Sequence, residues 1–165
     1  MFLSLITLVH ADCELYVEHT EDAVTRVHAP QCEGDNTAVW AEHWRATELD
    51  GRAGAFILVL DETLLNEGPE LPKTDGGKLE RPRGTVPRMP AEAKRDSLSG
   101  VCRVHVVVDE EGHTSHTFRG CAEIWQAPVT KALRDNRFEA VDAATGGETM
   151  LEFTFRPMTE PQPPG

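Results

Sequence analysis

CRVHVVVDEEGHTSHTFRGC, residues 102–121, decides how this chain folds. Along its first half, Cys102, Val104, Val106 and Val108 fall on one side of an extended chain and Arg103 and His105 on the other. That is the period of two of a half-buried strand running from Val101 to Val108. Asp109-Glu110-Glu111-Gly112 supplies a turn, with Gly112 free to take a positive φ. Thr114 to Arg119 returns as the partner strand, with Phe118 as its one large apolar group. Residues directly opposite in a hairpin have a constant index sum. Cys102 and Cys121 therefore face each other if the chain pivots between Glu111 and Gly112, inside the predicted turn.

Downstream, Trp125, Val129 and Leu133 recur at helical spacing with Ala132 beside them, and Pro128 is tolerable there only near the first turn. Phe138 follows the helix, Thr145 to Glu148 turns, and Leu151, Phe153 and Phe155 alternate as a last strand. Upstream, Ala91 to Arg95 makes a short helix preceded by Pro87 and Pro90. The order is helix, strand, strand, helix, strand.

The cysteine spacing occurs a second time. Cys13 and Cys32 stand at the same separation, and their hairpin would pivot between Asp22 and Ala23, beside a turn at Glu21-Asp22. Cys13, Leu15 and Val17 share a face, Trp40 and Trp44 lie one helical turn apart, and Phe56 to Leu60 closes the unit as a strand apolar on both faces. One unit thus occurs twice, the first copy without its leading helix. The expected fold is α+β: two small units, each a three-stranded antiparallel sheet packed with one or two helices, each hairpin stapled by a disulfide. Each bridge is worth about 3 kcal/mol by loop-closure entropy. The boundaries are 12–62 for the first unit and 87–158 for the second. Leu64 to Pro87 hold four Pro and four Gly among many charges, so residues 63–86 are expected to be a linker, and 159–165 a disordered tail.

With 28 acidic against 16 basic residues, the formal charge is −12. No basic face is visible for nucleic acid or an anionic membrane surface, so neither is an expected partner. The first eleven residues, MFLSLITLVHA, are apolar but too short to span a bilayer. Val9 and Ala11 suit a signal peptidase that would leave Asp12 first, although no Lys or Arg precedes them. Residues 1–11 are therefore expected to be a signal peptide, and the mature protein periplasmic or secreted. The alternative is a buried first strand of a cytosolic domain.

Four Cys and seven His also raise a zinc site, but the Cys form no close C-x₂₋₄-C pair. His105, His113 and His116 are a weaker metal candidate, requiring convergence across the hairpin. Asp109 with Glu110, and Glu42 with His43, have acid–base types on a turn and a helix face. No Gly-rich phosphate loop, G-x-S-x-G or H-E-x-x-H occurs. The expectation is no enzyme, no cofactor and no metal.

From Pro87 onward the pattern resembles the C-terminal domain of the TonB family. Pro87, Pro90 and Ala93 fit its opening Pro-x-x-Pro-x-x-Ala, Gly100 its strand start, Asp109 with Gly112 its turn, and Arg137-Phe138 its helix exit. Asn136 stands where the family usually has Trp, and Glu139-Ala140 replaces its x-Pro. Residues 87–157 are covered. In the first copy only Trp44-Arg45, the hairpin and the last strand align. The resemblance implies strand order second–first–third, a periplasmic setting, and capture of an extended protein or peptide partner along a sheet edge. The candidate edge is the last strand: Met150, Leu151, Glu152, Phe153, Thr154 and Phe155. Transducers of the family carry a membrane helix and a long Pro-rich span, and these 165 residues show neither. The expectation is a non-enzymatic envelope binding protein without stable membrane insertion. One alternative is an energy transducer whose start lies upstream, the other a small secreted metal-binding protein or enzyme.

Overall fold

β1 (Cys13–His19) buries Cys13, Leu15 and Val17 and turns Glu14 and Tyr16 outward, as its alternation requires. It lies between β2 (Val24–His28) and β3 (Gly54–Leu60), antiparallel to both. β4 (Leu98–Val108) likewise lies between β5 (Thr114–Cys121) and β6 (Gly147–Phe155), again antiparallel to both. The computed structural model describes residues 12–29, 32, 36–46, 54–80 and 84–156. The expected leader, 1–11, and tail, 159–165, fall outside them.

The two halves do not make separate three-stranded sheets. Ile57, Leu58 and Val59 of β3 pair in parallel with Leu98, Ser99 and Gly100 of β4. One six-stranded sheet results, ordered β2-β1-β3-β4-β5, with β6 on the opposite side of β4. The physical reason lies in the length of β4. It begins three residues before the expected Val101, and β5 covers it only from Cys102 onward. The leading residues offer an open edge, and β3 fills it with a strand apolar on both faces.

Helices cover opposite faces of this sheet. α1 (Thr37–Ala46) packs Trp40, Ala41 and Trp44 against Leu15, Val17, Phe56 and Leu58, and Val101 of β4 joins that cluster. α3 (Ala91–Arg95) and α4 (Glu123–Asp135) cover the other face, where Ala93, Trp125, Val129 and Leu133 pack on Val59, Cys102, Val104 and Val106. Pro128 sits in the second turn of α4 rather than the first. Trp125 marks the seam between the halves. Its indole lies across Gly100, where an added Cβ would come within 2.1 Å of Nε1, and stacks on Phe155 at 4.5 Å.

β4 is therefore buried on both faces along its first half, and Arg103 is fully buried, contrary to the half-buried strand expected. The linker expectation also fails at its start. Glu62–Glu67 forms α2, with Leu64 and Leu65 buried. Asp61 accepts from Leu64 N at 2.9 Å as the N-cap, and Gly68 ends the helix with φ 79°. The second carboxylate oxygen of Asp61 accepts from Cys121 N at 2.7 Å, so one side chain starts α2 and fastens the end of β5. Gly120 permits that contact, because a Cβ there would fall 2.6 Å from Leu64 Cγ and its φ is 112°.

Both disulfides form, Cys13–Cys32 with Cα atoms 5.4 Å apart and Cys102–Cys121 with 4.2 Å. Their registers differ from the predicted pivots. From Val108↔Thr114 to Val104↔Phe118 the second hairpin pivots on Glu111, and a register shift before Val104 then sets Cys102 opposite Cys121. In the first hairpin β2 ends at His28, and Cys32 reaches back from beyond the ladder.

Candidate partner-binding edge

β6 pairs with β4 in unbroken register from Gly147↔Val108 to Phe155↔Gly100. It starts earlier than predicted, because the turn before it falls at Asp142–Thr145, where Thr145 N donates to Asp142 O. Its other edge pairs with no strand among the described residues. The linker touches only the start of that edge: Glu148 N donates to Gly77 O at 2.7 Å, and Gly76 N to Glu148 Oε1 at 2.7 Å.

The Glu148 amide thus points away from β4. Alternation along a strand then turns the amides and carbonyls of Met150, Glu152 and Thr154 to the open side, and those of Leu151, Phe153 and Phe155 toward β4. Leu151 and Phe153 are half-buried on the α4 face, and Thr154 is exposed. The strand carries no Lys, Pro or bulge, the usual devices that protect an edge from pairing.

Its acidic side chains are engaged beneath the sheet. Glu152 Oε2 accepts from Arg103 Nε at 2.9 Å, with the guanidinium 5.5 Å from the Trp40 ring centroid and Glu67 Oε2 3.9 Å from its Nη1. Nη1 and Nη2 of Arg103 have no hydrogen-bond partner among the described residues. Arg103 so touches α1, α2 and β6 at once. Glu148 Oε2 lies 2.6 Å from His105 Nε2. The Gly76 amide first, and His105 second, hold the Glu148 carboxyl below its ordinary range.

The three histidines do not converge as a metal site. His105 lies on the Arg103 face, His116 opposite Val106 on the other, and His113 in the turn. Asp109, Glu111 and His113 bring ligand atoms within 4.8 Å of one another, all exposed. There Asp109 Oδ1 already accepts from the Glu111 and His113 amides, which lower its pKa. Glu42 and His43 are successive residues of α1 and do not face each other. Sequence reasoning missed Arg103 and Asp61. An Asp after an apolar strand, with Gly68 beyond a short apolar run, was the available signal for α2. No helix among the described residues is long and apolar enough to cross a membrane. No family model, no curated protein and no solved structure matches this chain.

Proposed function

We propose that this chain is a non-enzymatic cell-envelope protein whose TonB-like halves present β6 to an extended segment of a protein partner. The observation that carries the reading is the unprotected edge. Met150, Glu152 and Thr154 each offer an outward donor and acceptor, and Leu151 and Phe153 offer apolar neighbours to alternate side chains of an added strand. Two disulfides and the absence of a free cysteine support an oxidising compartment.

The test is selection of random peptides on the oxidised protein, followed by hydrogen exchange. Bound peptides slow exchange at Met150, Glu152 and Thr154, and Thr154→Pro, which deletes an outward amide without touching the β4 ladder, abolishes retention. Peptides that protect no amide of β6 overturn the reading.

A further inference from the structure

We infer that the groove between β5 and α4 is a second docking site, which takes an acidic peptide segment in extended form. Its backbone half follows from the register. Since the Val107–Glu148 pair turns its amides apart, Val107 exchanges its hydrogen bonds with Ser115 of β5. Thr114, His116 and Phe118 then turn their amides and carbonyls away from β4, to an edge that pairs with no strand among the described residues. Asp61 and α2 close one end of this edge at Cys121. What remains open is the part beside the groove.

The side-chain half comes from the groove itself, about 330 Å³ in volume. Val106, Leu133 and Phe138 form a buried apolar floor, and His116 and Arg134 stand on the rim. No acidic residue lines it. That is a marked departure in a chain of formal charge −12. Arg134 makes no ion pair among the described residues, and the His116 ring packs edge-on against Phe118 at 5.6 Å. A position in the last turn of α4 accounts for a cation by the helix dipole, but not for an apolar floor and an open strand edge beside it. An added strand places alternate side chains on the α4 face, where an apolar residue covers the floor and a carboxylate meets Arg134. Asp109, Glu110, Glu111 and Glu139 line the cavity that adjoins this groove at Thr114, Asn136 and Phe138, and Arg134 does not line it, so the carboxylate of the added strand is taken at Arg134 and not beside the turn. A small carboxylate would leave the outward amides of β5 unused, so the geometry favours a peptide.

The test uses the oxidised full chain and a labelled, end-blocked peptide of repeating Val-Thr-Asp-Thr, which sets Val and Asp on one face of a strand, with the peptide carrying Lys for each Asp as control, read by fluorescence anisotropy at physiological salt. The acidic peptide binds and slows amide exchange at Thr114, His116 and Phe118. Arg134→Glu, a change at an exposed position, weakens it by about tenfold or more, the loss of a charge-assisted contact. Thr154→Pro on β6 leaves it unchanged, so this site and the β6 edge are tested separately. The inference is overturned by failure of the acidic peptide to bind, by equal binding of the Lys peptide, by indifference to Arg134→Glu, or by exchange protection on β6 alone. Displacement of the peptide by citrate, with no protection on β5, would mark a small-carboxylate site and overturn it as well.

Discussion

Replacing Glu152 with Leu should damage this protein more than replacing Arg103 with Met, although Arg103 is the larger and more deeply buried group. Arg103 has no exposed side-chain surface, and its nearest acceptor is Glu152 Oε2 at 2.9 Å. With Glu152 gone, the guanidinium keeps only the Trp40 ring and a carboxylate 3.9 Å away. An uncompensated buried charge of this kind costs about 3–5 kcal/mol. For a chain of this size that lowers Tm by about 10 °C. Arg103→Met is different. Met lies along the same path against Trp40, two unsatisfied guanidinium nitrogens disappear, and Glu152, 22 % exposed, turns to water. Its cost should be about 1 kcal/mol or less, since apolar replacement of a buried ion pair is often neutral. The double variant should recover most of the Glu152→Leu loss, a strong departure from additivity. Urea unfolding followed by tryptophan fluorescence, with the disulfides intact, measures all three. If Arg103→Met proves as damaging as Glu152→Leu, the desolvation argument is wrong.

Two further expectations follow from the same geometry. Under graded reductant the Cys13–Cys32 bridge should open first, because Cys32 is only half-buried beyond the end of β2 while Cys102 and Cys121 are buried under α4; losing either bridge should cost about 3 kcal/mol. Timed alkylation with peptide mapping gives the order, and prior opening of Cys102–Cys121 would contradict it. Acid should loosen the linker from β6. A carboxylate with a depressed folded pKa adds stability above the ordinary Glu range and loses it as pH falls through the folded value. Relative to its intrinsic exchange rate at each pH, the Gly76 amide should therefore be protected at neutral pH and lose that protection in acid, and be unprotected at both in Glu148→Ala; protection that does not change with pH in the parent chain would refute the assignment.

Local periodicity made much of the fold legible. The alternation from Cys102 to Val108, the helical triplet Trp125, Val129 and Leu133, and the matched cysteine gaps each correspond to an observed element or bridge. What stayed hidden depends on contacts distant in sequence. Arg103 looks like the solvent side of a strand until Trp40 arrives from the other half to cover it. The β3–β4 pairing joins segments with no mutual signal in sequence, and the register shift beside Gly120 answers to Leu64 on α2. Of the candidate site, the identity of β6 as the last strand was legible, but the direction of its amides was not. That required the Glu148–Gly77 contact.

The seam between β3 and β4 also couples the folding of the two halves. The seam joins Ile57 to Leu98, 41 residues apart, a shorter span than the longest pairings inside the halves, 47 for Cys13↔Leu60 and 55 for Gly100↔Phe155. Loop-closure entropy grows slowly with length, so this step is not prohibitive, but it rewards the chain only after both partner strands exist. Loop length therefore does not set the seam apart, and the two cores share strands: Val101 of β4 packs in the first cluster and Val59 of β3 in the second. Trp40 and Trp44 lie in the first cluster and Trp125 in the second, stacked on Phe155, so chains retaining one cluster's tryptophans would show whether the two halves form together or in turn.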